Sequence, residues 1–139
     1  MNAILKIQNE IVEEFNMFEQ WMEKYEHIIE IGKTLPLIEP EYKTDDNLIN
    51  GCQSRVWLHA NYNNGLIVFT ADSDAIMTKG IVGLLIRTFS NQSPQDIIDA
   101  DTDFINKIGL NEQLSPTRAN GLSSMVKQMK IYAYAYLTK

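Results

Sequence analysis

The one cysteine of this sequence lies in the run Gly51-Cys52-Gln53-Ser54, where a turn gives way to a strand. Glycine at 51 can adopt backbone angles closed to other residues, and it leaves one side of the thiol uncrowded. From Ser54 to Leu58 the sequence alternates with the period of two that is typical of a half-buried strand. Cys52 is therefore predicted to lie at a loop tip. A thiolate there could act as a nucleophile or a carrier, because its reactivity depends on exposure and on local positive potential.

A buried and inert thiol is the alternative interpretation of Cys52. Free cysteine is among the most buried residue types, and a lone cysteine in a small domain can be purely structural. Gln53 and Ser54 argue against this, since they are poor neighbours for a hydrophobic core. The residues around Cys52 leave both interpretations open, and the second would make the chain a non-catalytic binding module.

Three motifs around and beyond Cys52 occur in a characteristic order. The first joins Leu35-Pro36 and Asp46-Asn47 to the eight residues Gly51-Cys52-Gln53-Ser54-Arg55-Val56-Trp57-Leu58. The second runs from Ala71 to Ile76 and continues to Lys79-Gly80, and the third runs from Leu114 to Leu122. In this order they resemble the signature of the SufE family, the sulfur-acceptor proteins of iron-sulfur cluster assembly. Thr117 is the one visible departure, at a position where the family usually has serine.

The resemblance implies both a fold and a function. The fold would be a single α+β domain over residues 1–139, with helices packed on a small three-stranded antiparallel sheet. Cys52 would accept persulfide sulfur from a SufS-type cysteine desulfurase, stimulate that enzyme and pass the sulfur to a SufBCD-type scaffold. Pyridoxal phosphate would belong to the desulfurase, so this chain needs no cofactor. It would be a sulfurtransferase-type carrier and activator rather than a stand-alone enzyme.

Five further residues support the predicted site around Cys52. Gly51, Gln53 and Ser54 flank the thiol, and Arg118 lies in the first turn of the last predicted helix, where its cation could stabilise a thiolate or a persulfide anion. An ion pair between Arg118 and Asp74, or another acid, is an equally good interpretation of that arginine.

Charge and composition exclude several other functions. The net charge is −6 and the pI is about 4.8, which argues against nucleic acid because phosphates demand clustered lysine and arginine. Residues 1–60 hold 11 acids and 5 bases, whereas residues 61–139 hold 7 of each. The acidic half could be a solvated helix face or a docking surface for a basic partner.

Metal, membrane and disulfide chemistry find little support. With one cysteine and two histidines, His27 and His59, a zinc site is not expected. The histidine nearest to Cys52 in sequence, His59, lies seven positions along a strand, a poor place for the base of a cysteine hydrolase. The longest apolar run, Gly80 to Ile86, is too short to span a bilayer. A lone thiol without an apparent signal peptide predicts a cytoplasmic protein.

Periodicity predicts the elements that position these residues. Helices are expected at 2–14 and 17–31, separated by a capping box of Asn16 and Glu19. Strands are expected at 47–50, 54–62 and 65–71, with Asn63-Asn64-Gly65 as a hairpin turn. In the first hairpin strand, residues 56, 58, 60 and 62 should share one face, and Trp57 on the other face is either a packed or a partner-facing aromatic.

The second half is predicted to be helical. Asp72 or Ser73 should cap a buried helix that includes Ile76 and continues to Phe89, with Gly80 and Gly83 allowing a close contact between helix and sheet. Ser93-Pro94 and Ser115-Pro116 should open two further helices, because serine caps a helix and proline suits its first turn. Another helix is expected from Asp103 to Ile108.

Overall fold

Helices form most of the described chain, and two antiparallel strands form its sheet. The computed structural model describes residues 3–49, 54–110, 114 and 116–138, with the backbone alone at 116–119. In chain order the elements are α1 (Ala3–Asn16), α2 (Trp21–Lys33), two short 3-10 turns (Pro40–Tyr42 and Asp45–Asn47), β1 (Val56–Asn63), β2 (Leu66–Ser73), α3 (Ile76–Phe89), α4 (Pro94–Asp99), α5 (Asp103–Lys107) and α6 (Pro116–Leu137). The predicted α+β class is confirmed.

The two amino-terminal helices are present, but the predicted capping box is wrong. Asn16 is the last residue of α1, and the residue that precedes the first turn of α2 is Gln20, in an extended conformation. Phe15 is fully buried, and the Phe18 amide still bonds to the Phe15 carbonyl. Burial of Phe15 thus keeps this stretch in the last turn of α1, which leaves Asn16 unable to begin the next helix.

The hairpin follows the prediction closely. Asn63 pairs with Leu66, so Asn64 and Gly65 alone form the turn. Both have positive φ, 54° and 83°, as a type I′ turn requires. At the other end of the hairpin, Val56 pairs with Ser73.

The third strand is not confirmed. Within residues 47–49 only Leu48 pairs with β1, through a single antiparallel bridge to Trp57. Residues Asp45–Asn47 form a 3-10 turn, so their backbone is not extended and cannot pair with β1 as a strand. The sheet of the described residues is therefore two-stranded.

Alternate residues of β1 are buried, as the period of two predicts, and α6 hydrogen-bonds to this strand. Val56, Leu58 and Ala60 are buried, and two tyrosine hydroxyls of α6 donate hydrogen bonds to carbonyls of this strand. Tyr132 Oη donates to the Leu58 carbonyl at 3.4 Å, and Tyr136 Oη donates to the Ala60 carbonyl at 3.2 Å. The apolar stripe of α6 is also confirmed, with four of its residues buried: Leu122, Met125, Met129 and Ala133.

The core helix α3 is buried along most of its length, with two corrections to the prediction. Its N-cap is Ala75, and neither Asp72 nor Ser73 caps it in the predicted way, because both side chains make other contacts. Ile76 is 69% exposed. The helix begins at this residue, which places its side chain at the outer end of the first turn rather than in the core.

The glycines of α3 contact a helix and not the sheet. A Cβ at Gly80 would overlap the Ile28 carbonyl oxygen of α2, and one at Gly83 would lie 2.8 Å from Ile31 Cγ2. From the α2 side, a Cβ at Gly32 would lie 2.9 Å from the Gly80 nitrogen. The predicted contact of these glycines with the sheet is therefore wrong, although α3 does pack on β2, and the glycines allow α2 and α3 to cross at close range.

The short helices follow local rules. Ser93 Oγ accepts from the Asp96 amide at 3.2 Å and caps α4, as predicted. The α5 helix ends at Lys107, one residue before the predicted end at Ile108, and Gly109 follows with φ of 80°. Pro116 begins α6, while the capping role predicted for Ser115 lies outside the described residues.

Candidate functional site

The two ends of the segment that contains Cys52 are held side by side. The Ile49 amide donates to the Val56 carbonyl at 2.8 Å, and Leu48 forms its bridge with Trp57 one residue further out. Residues 50–53, among them the predicted site residues Gly51, Cys52 and Gln53, lie outside the described residues. The described residues on either side, Ile49 and Ser54, lie at this end of the hairpin.

Both backbone polar groups of Arg55, the amide and the carbonyl, are hydrogen-bonded. Its amide donates to Asp74 Oδ1 at 3.1 Å. Its carbonyl accepts from Ser73 Oγ at 2.9 Å and from the Asp74 amide at 3.3 Å. Ser73 Oγ also accepts from the Ala75 amide at 3.3 Å, next to the first residue of α3. The carboxyl-side end of the Cys52 segment is thus joined to the entrance of the core helix, and we call this set of contacts the Arg55 anchor.

Asp74, one of the predicted site residues, contacts the backbone of Arg55, a contact that the sequence did not indicate. Its carboxylate binds the Arg55 backbone, whereas the sequence suggested an ion pair with Arg118. The backbone of Arg118 lies in the first turn of α6, as predicted, and its side chain is outside the description. Ser54 is half-buried beside the anchor.

An ionic cluster beside the anchor was missed by sequence reasoning. Asp72 Oδ2 lies 3.0 Å from Lys43 Nζ, and Asp72 Oδ1 lies 3.4 Å from Lys79 Nζ. Burial disfavours the charged carboxylate, but the hydrogen bonds from Lys43 and the Ser73 amide, with the charges of both lysines, lower the pKa of Asp72 on balance. Because Lys43 and Asp72 are 29 positions apart, no local pattern could have indicated this pair.

The outward face of β1 is partly covered, at Trp57 and His59. Lys43 Nζ lies 4.6 Å from the centroid of the Trp57 ring, and Tyr42 stacks on His59 with centroids 3.8 Å apart. Trp57 is half-buried, so it is a packed sheet residue with a cation over its ring. His59 Nδ1 is buried without a hydrogen-bond partner among the described residues. Burial lowers the pKa of His59, and the charge of Glu41 opposes this shift.

His27 takes part in a structural contact. Its Nε2 lies 3.0 Å from Glu14 Oε1, and its ring packs edge-on against Phe15. Within the part of the chain that the structure describes, no three His, Cys, Asp or Glu side chains are grouped so that they could hold a metal ion. None of the described helices is both long and apolar enough to cross a membrane.

Comparison with known proteins decides the family. Residues 9–133 match the family model for SufE, the Fe-S metabolism associated domain. The chain belongs to the SufE family. Two SufE-like proteins, both titled uncharacterized, are similar to it: one of Rhizobium etli is 36% identical, with 88% of this chain and 86% of the relative covered. The other, of Rhizobium meliloti, is 37% identical over 88% and 91% of the two chains.

A solved structure supports the fold of this SufE-family chain. The solution structure of a hypothetical protein from Thermus thermophilus superimposes with a TM-score of 0.81, over 96% of this chain and 97% of the other. The sequence identity is 20%, so this likeness concerns the fold alone. Membership of the SufE family places the protein in iron-sulfur metabolism.

Proposed function

We propose that this SufE-family protein is a sulfur acceptor and carrier, with the Cys52 thiolate as its acceptor group. Family membership and the motif around Cys52 support the role. The structural observation that carries it is the Arg55 anchor. A carrier must present its thiol at a defined place on the surface, and the anchor fastens the Cys52 segment to the end of β1 and the start of α3.

The reaction needs only an accessible thiolate. The donor is a cysteine persulfide on a SufS-type desulfurase, which carries pyridoxal phosphate. The Cys52 thiolate attacks the outer sulfur, the donor S–S bond breaks, and the donor cysteine leaves as a thiolate that keeps the bonding pair. The product is a persulfide on Cys52, so one neutral sulfur atom has moved and no outside oxidant or reductant is required.

Local cations would support both the thiolate and the product. Arg118, in the first turn of α6, is the residue proposed to stabilise the anionic sulfur. Lys43 and Lys79 are less suited to this task, since both are already paired with Asp72. Gly51, Gln53 and Ser54 are proposed to shape the backbone around the thiol.

The carrier acts between two protein partners. It would stimulate the desulfurase by removing sulfur from its active cysteine, then yield the sulfur to a SufBCD-type scaffold. A thiol that must remain unpaired between these steps suits a reducing compartment, so we propose that the protein works in the cytoplasm.

The decisive experiment is the Cys52→Ser variant, incubated with a SufS-type desulfurase and cysteine. We expect the wild type to gain the mass of one sulfur atom and to raise desulfurase turnover, and we expect the variant to do neither. The control is Ser123→Ala, at an exposed serine of α6 outside the proposed site, and it should behave like the wild type. A Cys52→Ser protein that stimulates the desulfurase fully would contradict the proposal and favour a non-catalytic binding module.

A further inference from the structure

Apolar side chains are exposed in the turn between α1 and α2 and in the first turn of α2. Met17 is 81% exposed and Met22 is 65% exposed. Phe18 and Ile29, close by, are only half-buried. Methionine is unbranched and adaptable, and it is common on surfaces that bind partner segments.

The packing of α2 determines which of its faces remains open. Ile28 and Gly32 are buried against α3, where Gly80 leaves no room for a side chain. His27 is held by Glu14 at the side of the helix. These contacts fix the rotation of α2, so its opposite face is presented to solvent.

Carboxylates line that face of α2. A shallow groove runs along it, lined by Phe18, Glu23, Glu26, His27, Ile29 and Glu30. Glu23 and Glu26 are exposed, and among the described residues no basic nitrogen lies within 4.0 Å of either carboxylate or of Glu19. Glu30 pairs with Lys33, but both side chains are 65% exposed, and such pairs are readily exchanged. We call this groove, together with Met17, Glu19 and Met22, the α2 surface.

We propose that the α2 surface is a docking site for a basic amphipathic helix of a partner protein. Apolar residues of such a helix would cover Met17 and Met22, and its lysines or arginines would meet Glu19, Glu23 and Glu26. The charge pattern decides between occupants. Nucleic acids and anionic membranes would be repelled. A second copy of this chain would also be repelled, because each copy carries a net charge of −6.

The α2 surface and the Arg55 anchor consist of different residues. The α2 helix meets α3 at Gly80 and Gly83, and neither glycine belongs to the anchor. Sulfur transfer on Cys52 and docking on α2 can therefore be tested independently.

The test uses a synthetic amphipathic helical peptide of leucine and lysine, titrated into the full-length protein and followed by amide chemical shifts. We expect the shifts to map to residues 17–30 and the binding to weaken with added salt. The Glu23→Gln/Glu26→Gln variant should bind about tenfold more weakly, because two carboxylates facing the peptide are lost.

Two control variants separate the site from overall charge and overall hydrophobicity. Glu39→Gln/Glu41→Gln removes the same charge from exposed positions elsewhere, and it should bind like the wild type. Met17→Ser/Met22→Ser should weaken binding, whereas Leu37→Ser, at a residue that is 55% exposed, should not. Equal weakening by both carboxylate variants, or shifts that map away from residues 17–30, would overturn the proposal. Self-association of the wild type that the Met17→Ser/Met22→Ser variant abolishes would also overturn it, in favour of a second copy.

Discussion

Asp74 forms hydrogen bonds with both backbone polar groups of Arg55. Its Oδ1 accepts from the Arg55 amide at 3.1 Å, and its own amide donates to the Arg55 carbonyl at 3.3 Å. The two residues are 19 positions apart, and between them lies the whole β-hairpin. This contact joins the segment that contains Cys52 to the start of the core helix. Asp74 is therefore a positioning residue for the proposed thiol site.

The Asp74→Ala variant should loosen this anchor. It leaves the Arg55 amide without its carboxylate partner, and because both residues are exposed, loss of this bond should cost about 0.5–1 kcal/mol. We expect faster hydrogen exchange of the Arg55 amide and a smaller stimulation of the desulfurase. Asp74→Asn is the matched control, since its side-chain oxygen can still accept. Unchanged exchange at Arg55 in Asp74→Ala would show that the carboxylate does not hold the segment.

The crossing of α2 and α3 predicts unequal effects of alanine at two glycines. At Gly80 the new methyl group would meet the Ile28 backbone carbonyl, which cannot move without shifting the helix. We expect Gly80→Ala to lower the free energy of unfolding by about 2–3 kcal/mol. At Gly83 the nearest atom is the Ile31 Cγ2 methyl group, and the Ile31 carbonyl oxygen lies further away, at 3.4 Å, so a smaller movement of the helix makes room. The gain of roughly 0.5–1 kcal/mol from replacing a helical glycine should then offset much of the cost.

Urea unfolding of the two variants measures this difference. Equal destabilisation by Gly80→Ala and Gly83→Ala would contradict the close backbone contact at Gly80.

Asp72 should make stability depend on acid pH. Its pKa is lower in the folded protein than its ordinary value of 3.8, so the unfolded chain binds the proton more readily. The resulting stabilisation is fully present above about pH 4 and is lost as the pH falls through the folded-state pKa. We expect Asp72→Asn to destabilise the protein at pH 7 and to have much less effect near pH 2. The check is urea unfolding of both proteins across this range, and a difference that does not change with pH would refute the role of Asp72.

His59 should impose a second pH dependence, near neutrality. Burial lowers its pKa from 6.5, so the unfolded chain again binds the proton first. Stability that is present above pH 6.5 should therefore decline as the solution becomes more acidic, because protonation places a charge on the imidazole that is stacked under Tyr42. The His59→Phe variant keeps an aromatic ring beneath Tyr42 but cannot titrate. We expect the melting temperature of the wild type, relative to this variant, to fall between pH 7 and pH 5, and parallel profiles would contradict the prediction.

Local chemistry in the sequence predicted the elements that depend on neighbouring residues. Positive φ at Asn64 and Gly65, and the Ser93 cap of α4, are properties of short stretches, and the structure has them where they were expected. The motif around Cys52 predicted the SufE family, which the comparison of residues 9–133 confirmed. The role of Cys52 itself stays a prediction.

Tertiary packing decided the features that join distant parts of the chain. Asn16 continues α1 because Phe15 is buried in the core, and Gly80 meets Ile28 of another helix rather than the sheet. Asp74 reaches Arg55, and Asp72 reaches Lys43, only after the hairpin has closed. The hairpin turn and the Ser93 cap could be predicted from the sequence because their partners lie within a few residues. Contacts across tens of residues depend on how whole elements bury their apolar faces, and that is settled only when the chain folds.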